Sequence, residues 1–352
     1  MSLYDSKTWI SDLDEVISSF GKFKELEGKR IMITGATGLI CSAVVDLLIR
    51  WNETNTNKIE ILAAGRNEAK FRERFGEYCN EQWFKYIEFD ANKLDNTSFE
   101  KCDYIIHGAS NASPNKIINE PVETMMSNFI GTKSILDYAR DNHVGRVLFI
   151  SSSEVYGRKE KNEPSKIDDY GYIDLLNPRN SYSIGKCAAE TLCASYYAEY
   201  NVDSVIVRPG HIYGPTAQKS DARVSSAWAY DAAEGRDIVM KSEGAQIRSY
   251  VYCLDCATAI LTVLLRGEKG KAYNISNPNS VISIKTIAET LSTYFKNKLL
   301  IELPSDKEIK GFNPMLDSSL DSRELCDIGW KGLYDYKKGF MHTVHILKEA
   351  YK

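Results

Sequence analysis

Residues 33–42 read ITGATGLICS, entered by the apolar run RIMI (30–33) and left by the amphipathic stretch SAVVDLLIRW (42–51). An apolar run, a glycine turn and a periodic stretch describe a strand feeding a helix. At such a turn the free N–H groups and the dipole of the helix N-terminus point the same way, which suits a diphosphate. Gly35 permits the tight turn, and Gly38 lets the backbone approach the phosphates. Position 41, where a third small residue lets helix and strand pack closely, holds Cys41. Taken alone, this turn fits a ligand-free loop as well as a dinucleotide site. Its weight depends on the rest of the chain.

Working outward, apolar runs recur at EILAAG (60–65), KYIEFD (85–90), DYIIHGA (103–109), RVLFISSS (146–153) and SVIVRPG (204–210). Their near-continuous hydrophobicity is that of strands buried on both faces of a parallel sheet. Helical patterns lie between them, notably VETMMSNFIGTKSILDYAR (122–140) and SIGKCAAETLCASYYAEY (183–200). The alternation predicts an α/β fold with a doubly wound parallel sheet of the Rossmann type. The expected division is a dinucleotide-binding domain over 28–208 plus about 250–268, and a smaller cap over 209–249 and 269–352. Residues 1–27 form a helical extension ahead of the first strand. YVYCLDCATAILTVLL (250–265) reads as a return to the main core.

The chain has 352 residues, 43% hydrophobic content and a net charge of −4. That balance disfavours a nucleic-acid polymer or an acidic membrane surface as partner. No apolar run approaches the roughly 18–20 residues of a membrane span, and the polar, acidic start lacks the features of a secretory signal. Eight scattered cysteines form no dense framework, so a reducing cytoplasm is the expected setting. Cys253 and Cys256 form one CxxC and His342 and His345 one HxxH. Neither has the companions a metal site needs, and both read as packing residues.

The second strand ends at Ala64 and Gly65, followed by Arg66, with no carboxylate to hold a ribose 2′-hydroxyl. A guanidinium pairs with a 2′-phosphate, so NADP(H) is the favoured cofactor, NAD the other possibility. The competing reading of Arg66 is a solvated side chain like Arg72 and Arg74. Asp90, ending the third strand, faces the adenine edge or closes a turn.

YSIGK (182–186) places Tyr182 and Lys186 four apart, on one face of a helix. An ammonium beside a phenol favours the phenolate and equips tyrosine as a general acid or base near neutral pH. Upstream, FISSSEVYG (149–157) sets serines at a strand end. Glycine turn, strand-end serine and YxxxK in that order form a specific combination.

On these motifs, with HGAS (107–110), NASP (111–114), NFIGT (128–132), PRNSYSIGK (178–186) and RPGHIYGP (208–215), residues 28–345 resemble an extended short-chain dehydrogenase/reductase of the nucleotide-sugar epimerase/dehydratase group. UDP-glucuronate decarboxylases and sugar 4,6-dehydratases are the members it resembles most. The resemblance implies an enzyme moving a hydride between a nicotinamide and a carbon of a nucleoside-diphosphate sugar, and a homodimer built on helices around 118–140 and 181–200. By it, Ser152 orients the sugar oxygen, Tyr182 moves the proton, Lys186 holds the nicotinamide ribose, and Asn128 helps set the helix of Tyr182.

By the same resemblance, Thr37, Leu39 and Ile40 join Gly35 and Gly38 at the cofactor, with Arg66, Asp90 and Ala109. Asn111, Ser153, His211, Arg223 and Arg248 face the substrate, the two arginines gripping its diphosphate. His211 stands where most relatives carry asparagine, and Ser153 where dehydratases often carry an acid. Glu154 is either a base near sugar C5 or a backbone hydrogen-bonding residue. Arg66 favours net NADPH-dependent reduction of a keto sugar. Glu154 and the decarboxylase-like motifs favour an alternative, in which the hydride returns to the sugar from a retained cofactor. A non-catalytic cofactor-binding regulator is a third reading, opposed by the intact Ser152, Tyr182 and Lys186.

Overall fold

The structure is a computed structural model, and it describes residues 2–93, 99–302, 304 and 315–351. Seven parallel strands form the central sheet: β1 (Arg30–Thr34), β2 (Glu60–Gly65), β3 (Phe84–Glu88), β4 (Tyr104–His107), β5 (Arg146–Ile150), β6 (Ser204–Pro209) and, numbered last because it comes late in the chain, β10 (Ala272–Ile275). Their order is β10-β6-β5-β4-β1-β2-β3. The first six coincide with the apolar runs read from the sequence.

Apart from the edge strand β3, whose Lys85 and Glu88 are exposed, the strands are largely buried on both faces, and alternate residues feed two separate cores. Ile31, Ile33, Ile61, Ala63, Ile106, Leu148, Val205 and Val207 pack on one side with α2 (Leu39–Thr54) and α8 (Cys253–Arg266). Met32, Leu62, Ile105, Val147, Phe149 and Ile206 pack on the other with α5 (Pro121–Asp141) and α6 (Ser181–Tyr200). This period-two partition is what a parallel sheet covered by helices on both faces requires.

The expected division into domain and cap differs from the structure in two places. Residues 250–252 end β9 (Ile247–Tyr252), which pairs with β7 (His211–Tyr213), β11 (Val281–Ser283) and β13 (Asp317–Ser318) in a second sheet. Only the following helix, α8, returns to the main core. Conversely, β10, expected in the cap, joins the central sheet as a parallel neighbour of β6. Its AYNI run is too short to stand out from the surrounding polar sequence. The remaining two strands, β8 (Ile238–Met240) and β12 (Leu299–Ile301), pair with each other.

The N-terminal extension belongs to the core. Its helix α1 (Lys7–Phe20) buries Trp9, Leu13 and Val16 completely. The Tyr4 hydroxyl donates to Asp46 Oδ1 at 2.6 Å, and buried Asp46 also pairs with Arg74. Asp12 on α1 meets His342 Nδ1 at 2.8 Å and accepts from the Tyr252 hydroxyl at 2.9 Å, while His345 packs on Tyr294 and Phe295. His342 thus ties the C-terminal helix to α1 by a polar contact, and His345 serves packing. Cys253 and Cys256 are buried free thiols of α8. No helix among the described residues is long and apolar enough to cross a membrane.

Candidate active site

Strand order reverses between β1 and β4, and at the carboxyl ends of these strands lies a cleft of about 770 Å³. This is where a doubly wound sheet receives its ligand. Gly35, Thr37, Gly38, Leu39, Ile40, Arg66, Asp90 and Ala109 all line it. Gly35 adopts φ +71°, and a Cβ there would stand 3.0 Å from the backbone of Ala109, so only glycine fits. Gly38 caps α2 without any side-chain hydrogen bond, leaving the first N–H groups of that helix for an anion. The crossover point, the tight glycine and the open helix terminus together fit a nicotinamide dinucleotide.

The structure also answers the question raised by Cys41. Its buried sulfur sits where a Cβ on Gly108 would fall, only 2.4 Å away. The bulk added at the usual third glycine is offset by a glycine at the end of β4. Sequence reading missed this compensation, although HGAS contains it.

At the adenosine end, Arg66 is exposed on the cleft rim with no ion pair among the described residues, and exposed Lys70 lines the same rim. Asp90 lines the cleft, and its carboxylate accepts from the Asn92 N–H at 3.1 Å, as in a turn. Asn111, expected at the substrate, is buried in the wall of this cleft.

Tyr182 opens α6 and is 8% exposed. The helix lies hard against α5: a Cβ on Gly185 would be 3.3 Å from Asn128 Cβ and from the Met125 backbone. Asn128 donates to the Thr124 carbonyl at 2.8 Å and accepts from Ser110 at 2.9 Å. These bonds tie α5 to the loop after β4, and Asn128 meets the helix of Tyr182 only by packing against Gly185. Ser152, two residues past the end of β5, stands near enough to the phenol to favour its ionised form. Lys186 is 2% exposed, with Nζ 5.8 Å from the Tyr182 ring centre and donating to the Ile150 carbonyl at 2.7 Å. The Ile150 side of this contact lines the cleft.

The electrostatics differ from the expectation that Lys186 acidifies the phenol. Burial, followed by the Glu154 charge, pushes Tyr182 up to about 12. Burial likewise pushes Lys186 down to about 7, partly opposed by Glu190. Desolvation outweighs the pairing because both groups are enclosed, which sequence spacing does not reveal.

Glu154 takes neither of its two expected forms in isolation. Its N–H donates to Ser152 Oγ at 3.2 Å, but its carboxylate accepts from Ser183 Oγ at 3.0 Å and forms a fork with Arg179 at 3.3 and 3.4 Å. Sequence reading named neither Arg179 nor Ser183, although both stand in PRNSYSIGK. Ser153 is buried beside Glu154.

Of the residues assigned to substrate, Arg223 lines the cleft, forked onto Asp221 at 2.9 and 3.0 Å. Arg248, on β9, is 3% exposed and donates to the carbonyls of Ile247 at 2.8 Å and Met315 at 3.0 Å. His211 starts β7 with a buried Nδ1 that has no hydrogen-bond partner among the described residues. Burial, then the charges of Arg248 and Arg223, push it down to about 3, so the imidazole is neutral. His211 thus feels the charge of both arginines, but only Arg223 of the three is among the residues lining the cleft.

The chain is similar to UDP-glucuronic acid decarboxylase 6 of Arabidopsis thaliana, 29% identical over 300 residues, covering 81% of this chain and 84% of that protein. It is 26% identical to dTDP-D-glucose 4,6-dehydratase of Bos taurus over 344 residues, 92% of this chain and 90% of that one. Its fold matches dTDP-glucose 4,6-dehydratase from Bacillus anthracis, solved in complex with NAD, at a TM-score of 0.74 and 17% identity, covering 92% of this chain and 97% of that one. The model of the NAD dependent epimerase/dehydratase family matches residues 31–276, the span that holds the glycine turn, Ser152, Tyr182 and Lys186, and the chain belongs to that family of enzymes acting on nucleotide sugars.

Proposed function

We propose that this enzyme oxidises a carbon of a nucleoside-diphosphate sugar, works on the carbon beside the transient ketone, and returns the hydride. The observation that carries this reading is the Glu154 carboxylate, held by Ser183 and Arg179 next to Tyr182. A net ketone reductase needs one proton carrier, and a carboxylate held beside the tyrosine supports a second. The curated relatives, named for decarboxylation and dehydration, support hydride return over the net reduction expected from Arg66. A bound nicotinamide supplies hydride acceptance and donation. Tyr182 takes the sugar hydroxyl proton and gives it back, Ser152 fixes that oxygen, and Glu154 moves a proton at the neighbouring carbon. Ser153 supplies no acid to expel a hydroxyl, which favours decarboxylation over 4,6-dehydration.

The test mixes NAD-loaded protein with UDP-glucuronate, dTDP-glucose or UDP-glucose, following product mass and reduced-nicotinamide absorbance. An altered sugar with no net cofactor consumption is expected, and the Tyr182→Phe variant should lose about 10²–10⁴-fold in rate. Stoichiometric consumption of NADPH with a keto sugar would overturn hydride return.

A second reading concerns the cofactor. Arg66 and Lys70 on the rim, with no acid at the end of β2, support acceptance of a 2′-phosphate and hence NADP(H). Equilibrium dialysis checks it: Arg66→Glu should weaken NADP binding about tenfold or more while sparing NAD. Equal loss for both would refute it. We also propose a homodimer, supported by the exposed stripe Val122, Met125, Met126 and Phe129 along α5. A cytoplasmic setting is supported by eight unpaired cysteines.

A further inference from the structure

Arg179 lies in a short turn, Pro178–Asn180, immediately ahead of α6. The turn is rigidly tied: the Asn177 side chain accepts from the Arg179 N–H at 3.0 Å, and Asn180 Nδ2 donates to the Asp174 carbonyl at 2.9 Å. It holds the Arg179 backbone three residues ahead of Tyr182. Both Arg179 Nη atoms face Glu154, at 3.3 Å to Oε2 and 3.4 Å to Oε1. The side chains are 26% and 28% accessible. A long, partly wet pair of this kind adds little to stability. Its geometry matters in another way: two nearly equal contacts fix the plane of a carboxylate whose side chain otherwise turns about three bonds.

We propose that Arg179 is a positioning residue, which together with Ser183 aims the Glu154 carboxylate beside Tyr182 and screens its charge from the phenol. This rests on the reading of Glu154 given above. The groups whose charge or polarity acts on the Tyr182 phenol are Glu154, Ser152, Arg223 and Arg179, with Lys186 Nζ 5.8 Å from the ring centre. Glu154 opposes phenolate formation, while Ser152 and the two arginines favour it. A carboxylate placed near a phenol that must ionise is a liability, and a cation forked onto that carboxylate offsets it. Arg179 therefore acts on Tyr182 in two ways, by its own charge and by its hold on Glu154, and only the second vanishes when the Glu154 charge is absent.

The test follows the ζ-carbon resonance of Tyr182 against pH in NAD-saturated protein, assigned by its loss in Tyr182→Phe. In Arg179→Gln the titration should move up by about half a unit or more. Arg179→Lys, which keeps the cation, should return it toward the wild type. In Glu154→Gln the titration should move down, and adding Arg179→Gln to that background should raise it by clearly less than it does in the wild type. Thermal melts confirm that each variant is folded. An unmoved titration in Arg179→Gln, or an equal shift with and without the Glu154 charge, overturns the proposal. The readout needs no turnover, so the underlying reading fails separately: Glu154→Gln protein that still converts the sugar at the wild-type rate refutes Glu154 as a proton carrier.

Discussion

Replacing Gly108 by alanine should destabilise this protein, and the same replacement should become harmless once Cys41 is glycine. The new Cβ would lie 2.4 Å from Cys41 Sγ and 3.1 Å from Ile150 Cδ1. Apolar contacts relax at about 3.5–4.0 Å, so the sulfur must retreat by about 1 Å inside a filled core. Overpacking of this kind costs about 1–3 kcal/mol. Gly108 has no positive φ, so the exchange carries a gain of about 0.4–1 kcal/mol from the unfolded chain when the space exists. Cys41→Gly alone loses a buried thiol and adds a helical glycine, a cost of about 1 kcal/mol or more. In that background Gly108→Ala should be neutral to slightly stabilising. Urea unfolding of the four proteins measures the cycle. The sign of the alanine effect should reverse, with a coupling of about 1–3 kcal/mol. Additivity within about 0.3–0.5 kcal/mol would refute the account of how a cysteine occupies the third position of the turn.

Lys186→Met should inactivate the enzyme yet stabilise the cofactor-free protein near neutral pH. The folded lysine titrates near 7 against 10.5 unfolded, so between these values the unfolded chain binds more protons and wild-type stability rises with pH. At about 1.4 kcal/mol per unit this is a few kcal/mol at pH 7. The advantage of the methionine variant should shrink to nothing by about pH 10.5, and a variant less stable at pH 7 would contradict the desolvation argument. Asp46→Ala leaves Arg74 buried without its carboxylate and releases Tyr4, which should cost about 3–5 kcal/mol and expose the N-terminal segment to proteolysis. A loss under about 1 kcal/mol would show that the extension is held by α1 packing alone. Met126→Glu with Phe129→Glu should halve the sedimenting mass if the α5 stripe is the dimer face, and leave it unchanged otherwise.

What the sequence settled was periodic or local. Six central strands, the glycine turn, and the pairing of Tyr182 with Lys186 on one helix follow from repeats of two and four residues that need no partner to be legible. The eight residues placed at the cofactor from the turn and strand ends line one cleft for the same reason: the carboxyl ends of parallel strands converge by topology. Tertiary structure decided what depends on residues far apart in the chain meeting. The seventh strand, Ala272–Ile275, is a strand because β6 offers it an edge. Cys41 is tolerated because Gly108, 67 positions away, leaves its space empty. Arg179 matters because β5 and the turn before α6 bring Glu154 opposite it. Burial, likewise, reversed the expected acidity of Tyr182, since the cost of enclosing a charge is set by everything around it and by no neighbour in sequence.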